Sequence, residues 1–137
     1  MSRLINKKRG FSELPLYRSM NMFLLFITPV IFNLSKDTKQ TYGYEIIKIG
    51  IETIVKLKKC YYENNFDLKF SIADSIYNRI SDMEMLFKLL FELGFVNEKT
   101  QSNISIQLGD ILSQLSGWIK SIEKSINKHI ETDVVEG

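Results

Sequence analysis

Two prolines and seven glycines in 137 residues are too few to turn a chain of short strands. Apolar side chains recur at intervals of three and four rather than two, so an all-α chain is expected and hairpins are not. The single cysteine, Cys60, excludes an internal disulfide and fits a reducing compartment. It has no histidine close by in sequence and reads as a packed thiol. The single histidine, His129, has Ile126 three residues before it, so the Glu-x-x-His pairs with which helical bundles hold metals are absent. A solvated, helix-terminal place is expected for it. Asp82 and Glu84 stand two apart on one expected helix and point to different faces. No glycine-rich loop follows a strand, because no strand is expected. Nothing assembles an acid, a base or a nucleophile, so the chain is expected not to be an enzyme, with no cofactor, no metal and no small-molecule substrate.

Long apolar runs are also missing. Met20–Phe32 is thirteen residues and contains Asn21 and Pro29, whereas a membrane span needs about twenty. A basic start does precede this run, as in a signal peptide. Glu13 and Arg18 interrupt the approach, however, and no small-x-small cleavage site follows near Asn33–Asp37. A cytoplasmic protein without a membrane contact is expected.

What is present is ordinary in amount and uneven in placement. Hydrophobic residues make up 45% and charged ones 25%, as in a soluble domain, and the length suits one domain with a real core. Of the formal net charge of +2, the first ten residues contribute +4 through Arg3, Lys7, Lys8 and Arg9, and the last seven contribute −3 through Glu131, Asp133 and Glu136, which leaves +1 for the body. The basic character therefore belongs to a terminal arm. Residues 1–13 are expected to form a flexible basic arm and residues 131–137 a flexible acidic tail, around one domain over 14–130.

Four helices are expected in that domain, at about 15–35, 41–62, 68–93 and 98–128. Pro15 suits a first helical turn. Helix one has a stripe at Tyr17, Met20, Leu24, Ile27, Ile31 and Leu34. Phe23, Phe26, Val30 and Phe32 fall off it, so this helix is apolar nearly all round, and its second side is assigned to another subunit. Pro29 is expected to bend it by leaving the Leu25 carbonyl without a partner. Helix two is expected to bury Tyr44, Ile47, Ile51, Ile54 and Val55. Asn65 or Asp67 caps helix three, whose stripe is Ile72, Ile76, Ile80, Met83, Phe87 and Leu90; Gly94 ends it and Asn97 caps helix four. Helix four has the clearest seam, at Leu108, Leu112, Leu115, Ile119, Ile122 and Ile126, widened by Ile111 and Trp118. Short polar connections between these helices imply an antiparallel up-down-up-down four-helix bundle.

Two groups of lysines stand outside the stripes. Lys48, Lys56, Lys58 and Lys59 lie on helix two with Glu52 among them; Lys120, Lys124 and Lys128 form a row on helix four beside Glu123. Such rows track a phosphate backbone in nucleic-acid-binding proteins, and equally often are solvated faces balanced by neighbouring acids. Ser113, Gly117 and Ser121 put small side chains along the same outer side of helix four, where a neighbouring helix could approach closely. Trp118, at the edge of the seam, is read as core or subunit contact rather than a base-stacking platform. The candidate subunit contacts are thus Phe23, Phe26, Val30, Ser113, Gly117 and Trp118.

Four segments together carry a resemblance: LPLYR at Leu14–Arg18, the pair Tyr42–Gly43, MLFKLLFELGFV at the end of helix three, and LGDILSQLSGWIKS in helix four, with SGWIKS the most specific. The chain resembles, from about Leu14 to Lys124, the accessory variability determinant (Avd) proteins of diversity-generating retroelements, and the wider four-helix group encoded in intervening sequences of large-subunit rRNA genes. That resemblance implies a four-helix protomer in a ring-like homopentamer with a basic surface. It implies a non-catalytic protein that binds RNA or DNA and a reverse transcriptase during mutagenic copying. Lys48, Lys56, Lys58, Lys59, Lys120, Lys124 and Lys128 would then be the phosphate contacts. The alternative expectation is a structural or adaptor homo-oligomer of the same fold with no retroelement role.

Overall fold

The computed structural model describes residues 10–136, with side chains described through residue 132. Arg3, Lys7, Lys8 and Arg9 of the basic arm, and the side chains of Asp133 and Glu136, lie outside them. Among the described residues every regular element is helical. The four long helices are α1 (Pro15–Phe32), α2 (Tyr44–Tyr62), α3 (Phe66–Glu92) and α4 (Glu98–Glu136). They close into a ring: α3 packs against α2 and α4, and α1 packs against both of these from the other side. The diagonal pair α1 and α3 meets through core side chains, with Phe23 edge-on to Phe87 at 6.1 Å between ring centres.

Local chemistry sets the helix ends. The Asn65 side chain accepts from the backbone N–H of Leu68 at 3.1 Å, and the Asn97 side chain from that of Thr100 at 2.8 Å, each satisfying an otherwise orphaned donor. Gly94 takes φ of 84°. In that conformation Gly94 N–H reaches the Phe91 carbonyl at 3.0 Å and Phe95 N–H reaches that of Leu90 at 2.9 Å, which closes α3 in a Schellman turn. Pro15 occupies the first turn of α1. Pro29 stands inside α1, which remains helical through it. Both Pro29 and Leu25 are exposed, so the carbonyl that the proline strands is within reach of water.

Several boundaries differ from the sequence reading. SKDTKQTYG is helical rather than a polar connection. Ser35 caps a short helix at Lys36–Thr38, which runs through a π-helical turn at Lys39–Gly43 into α2. Gly43 is buried there against α1, where a β-carbon would stand only 2.7 Å from Ile31 Cγ2. Phe11–Glu13, expected within a flexible arm, form a 3-10 turn. Phe11 packs on Tyr17 and Tyr61, at 4.6 and 6.0 Å between ring centres, and its N–H donates to the Tyr62 hydroxyl. At the other terminus α4 continues to Glu136, through the expected acidic tail. Its last fully buried described residue is Ile122, so the final turns run past the core.

The core matches the expected stripes on α3 and α4, shares Met20, Ile27 and Ile31 with the stripe on α1, where Tyr17, Leu24 and Leu34 pack at its edge, and departs from the stripe on α2. α3 buries Lys69, Ala73, Ile76, Ile80, Met83, Phe87 and Leu90, and α4 buries Ile104, Leu108, Ile111, Leu115 and Ile122. On α1 the buried face is Leu16, Met20, Phe23, Ile27 and Ile31. Phe23 is therefore a core residue and not a subunit contact. On α2 the expected stripe is corrected: Tyr44, Ile51 and Val55 are 51%, 56% and 64% exposed, while Ile46, Ile49, Gly50, Thr53, Leu57 and Cys60 face inward. Small and polar residues define that inner face. Leu24 of α1 occupies the space where a Gly50 side chain would begin. Thr53 donates its hydroxyl back to the carbonyls of Ile49 and Gly50, at 2.9 Å each, and so enters the core without an unmet hydrogen bond.

Candidate nucleic-acid interface

The ring order places the two lysine groups. α2 and α4 occupy opposite corners, separated by α1 and α3. The group on α2 and the row on α4 therefore do not form one strip on a single protomer. Lys48, Lys58 and Lys59 are exposed on α2. Lys56 is half-buried and donates to the Ser75 hydroxyl of α3 at 3.2 Å, which turns it away from the other three. Lys120, Lys124 and Lys128 are all exposed. At 1.5 Å per residue their eight-residue spacing makes a row about 12 Å long.

On α2 the acid nearest the lysines in sequence is drawn away from them. Glu52, which lies among the α2 lysines in the chain, faces α3 and pairs with Arg79 at 3.5 Å. Arg79 also holds Glu45 at 3.8 Å and Asp82 at 3.3 Å. Among the described residues, the ion pairs all belong to Arg79, and none of the seven lysines takes part in one. Tyr44 and Tyr62, both about half exposed, share the outer face of α2 with Lys48, Lys58 and Lys59. Sequence reasoning missed Tyr44 by placing it in the core. Its signal was its position two residues before Ile46 on the true inner face.

The expected subunit contacts divide. Phe26 is half-buried beside Ser19, Met22, Asn103, Gln107 and Asp110 in a cleft between α1 and α4. Val30 is half-buried near Leu34 and Val96. Ser113 and Gly117 are exposed, and a β-carbon at Gly117 would meet nothing within 4 Å. The outward apolar side chains of α1 are instead Met22, Leu25 and Phe32, at 66%, 67% and 56% exposure. α1 is long and apolar enough by length and composition alone to cross a membrane; 28% of it is buried inside the protomer.

Trp118 is bound inward. Its ring lies over the ammonium of Lys69, 5.5 Å from Nζ to the ring centre. Lys69 is itself 8% exposed and donates to the carbonyls of Cys60, Tyr61 and Glu63 at 3.0, 3.2 and 3.4 Å. These are carbonyls at the C-terminal end of α2, where helical partners run out and the helix dipole is negative. The Cys60 thiol donates to the Lys69 carbonyl at 3.3 Å. Lys69 thus ties α2, α3 and α4 together at one end of the protein. Among the described residues no group of three or more His, Cys, Asp or Glu is placed to hold a metal ion.

No family model, no curated protein and no solved structure matches the chain.

Proposed function

We propose that this chain is a non-catalytic accessory protein of the Avd type. In this reading it is an antiparallel up-down-up-down protomer that forms a homo-oligomer, binds RNA or DNA through exposed lysines, and serves a reverse transcriptase. The connections α2–α3 and α3–α4, three and five residues long, support antiparallel neighbours. The pentameric number, the reverse transcriptase and the retroelement setting rest on the resemblance carried by LPLYR and SGWIKS. Nucleic-acid binding is carried by one observation: six of the seven lysines are exposed, and the acid that would neutralise the α2 group is engaged by Arg79. Unbalanced lysines release counterions when they meet phosphates. Self-association is supported by the exposed apolar side of α1, because isolated large apolar residues are common on monomers but contiguous helical faces are not. Oligomerisation would also repeat each lysine group around a ring, which a single protomer cannot do.

A structural or adaptor oligomer without nucleic acid is the second reading. The diagonal placement of α2 and α4 favours it, since it splits the lysines into two small groups. Binding of a labelled single-stranded RNA, followed by fluorescence anisotropy across salt concentrations, separates the two. The first reading predicts a log–log slope of about −3 or steeper. It also predicts loss of binding in the quadruple variant Lys58→Glu, Lys59→Glu, Lys120→Glu, Lys124→Glu, with helix content unchanged. A slope near zero, or a variant that binds as well as the parent, leaves only the adaptor reading.

A further inference from the structure

We propose that the groove between α2 and α3 is a docking site for a basic amphipathic helix of a protein partner. The groove has a volume of about 660 Å³. Its floor is apolar: Ile49 of α2 faces Leu86 and Leu89 of α3, with Met85 beside them and 67% exposed. Positions 85, 86 and 89 form a helical ridge, and the channel beside such a ridge accepts the side chains of another helix. Methionine among its lining residues adapts to differently shaped apolar anchors.

The rim selects the sign of the partner's charge. Glu45, Asp82 and Glu92 line it, against Arg79 and Lys88. Arg79 is already shared among Glu45, Glu52 and Asp82. Three carboxylates against two cations leave the rim one negative charge in excess. Lysine and arginine side chains fit this arrangement, with their methylene stems along the apolar floor and their charged heads at the rim. A phosphate backbone would be repelled by that excess instead. The site is separate from the proposed lysine contacts and does not rest on the nucleic-acid reading.

The test uses the full chain and two fluorescent peptides of about 18 residues patterned as amphipathic helices, one of leucine and lysine and one of leucine and glutamate. The lysine peptide should bind saturably and the glutamate peptide should not. Met85→Lys, at an exposed position, should weaken binding by about tenfold or more, whereas Ile106→Lys, similarly exposed on α4, should leave it unchanged. Equal binding of the two peptides, or equal loss in the two variants, overturns the proposal. Tenfold tighter binding in a chain carrying Arg3→Glu, Lys7→Glu, Lys8→Glu and Arg9→Glu would overturn it in favour of the chain's own basic segment. A fall in solution mass caused by Met85→Lys would overturn it in favour of a second copy.

Discussion

Replacing Lys69 by methionine removes one ammonium while keeping an unbranched side chain of similar length. The variant loses three donations to the carbonyls of Cys60, Tyr61 and Glu63 and the contact with the Trp118 ring. Hydrogen bonds to a charged group contribute about 1.5–3 kcal/mol each. Against that stands the recovered cost of burying the ammonium, several kcal/mol. The carbonyls decide the balance, because at 8% exposure of Lys69 little water can replace the lost donor, although the Cys60 carbonyl keeps the Glu63 N–H at 3.2 Å. A net destabilisation of about 2–3 kcal/mol follows, a large share of the roughly 5–15 kcal/mol that holds a domain together. Urea unfolding should show it as a lower midpoint at similar slope, and thermal unfolding as a drop of roughly 5–10 °C. Trp118, the one tryptophan, reports the same site directly through its fluorescence. A Lys69→Met chain as stable as the parent, with unchanged tryptophan emission, would refute the role assigned to Lys69.

Other substitutions separate core from surface. Phe23→Ala should cost about 3–5 kcal/mol in urea unfolding, because it opens a cavity against Phe87 in the protomer core. Leu25→Lys, on the exposed side of the same helix, should leave protomer unfolding within about 0.5 kcal/mol and weaken self-association in a dilution series. Gly94→Ala should cost about 1 kcal/mol by forcing a side chain onto a φ of 84°, measured by the same unfolding assay.

How much of this was legible in the sequence depends on what each helix buries. α3 and α4 bury mostly large aliphatic residues at intervals of three and four, so periodicity found their inner faces, and Gly94 and Asn97 marked the turn between them. The inner face of α2 carries Gly50 and Thr53, which score poorly as core residues, while Ile51 and Val55 point outward. Reading hydrophobicity alone chose a face turned outward, of which Ile47 and Ile54 still pack at the edge of the core. The reason lies in the neighbour: Leu24 fills the room beside Gly50, and that fit cannot be seen in either helix alone. Lys69 was missed for a related reason. Positions 69, 73, 76, 80, 83, 87 and 90 keep a strict alternation of four and three, but a lysine at the head of that series looks like surface until three carbonyls converge on it.

The candidate site was less legible than the fold. Lysine spacing along α2 and α4 could be read from the chain, yet whether the two groups share a surface depends on the ring order, which sets them at opposite corners. The identity of the acids that balance them was equally hidden. Glu52 is adjacent to the α2 lysines in sequence and belongs to Arg79 in space.

Light scattering of the full chain, titrated with a short single-stranded RNA, tests the central claim most directly, since one trace reports both assembly and binding. The account predicts a particle several times the 16.0 kDa protomer mass that gains RNA mass at low salt, loses it at high salt, and keeps its subunit number throughout. A particle of 16.0 kDa whose mass does not respond to RNA would contradict it.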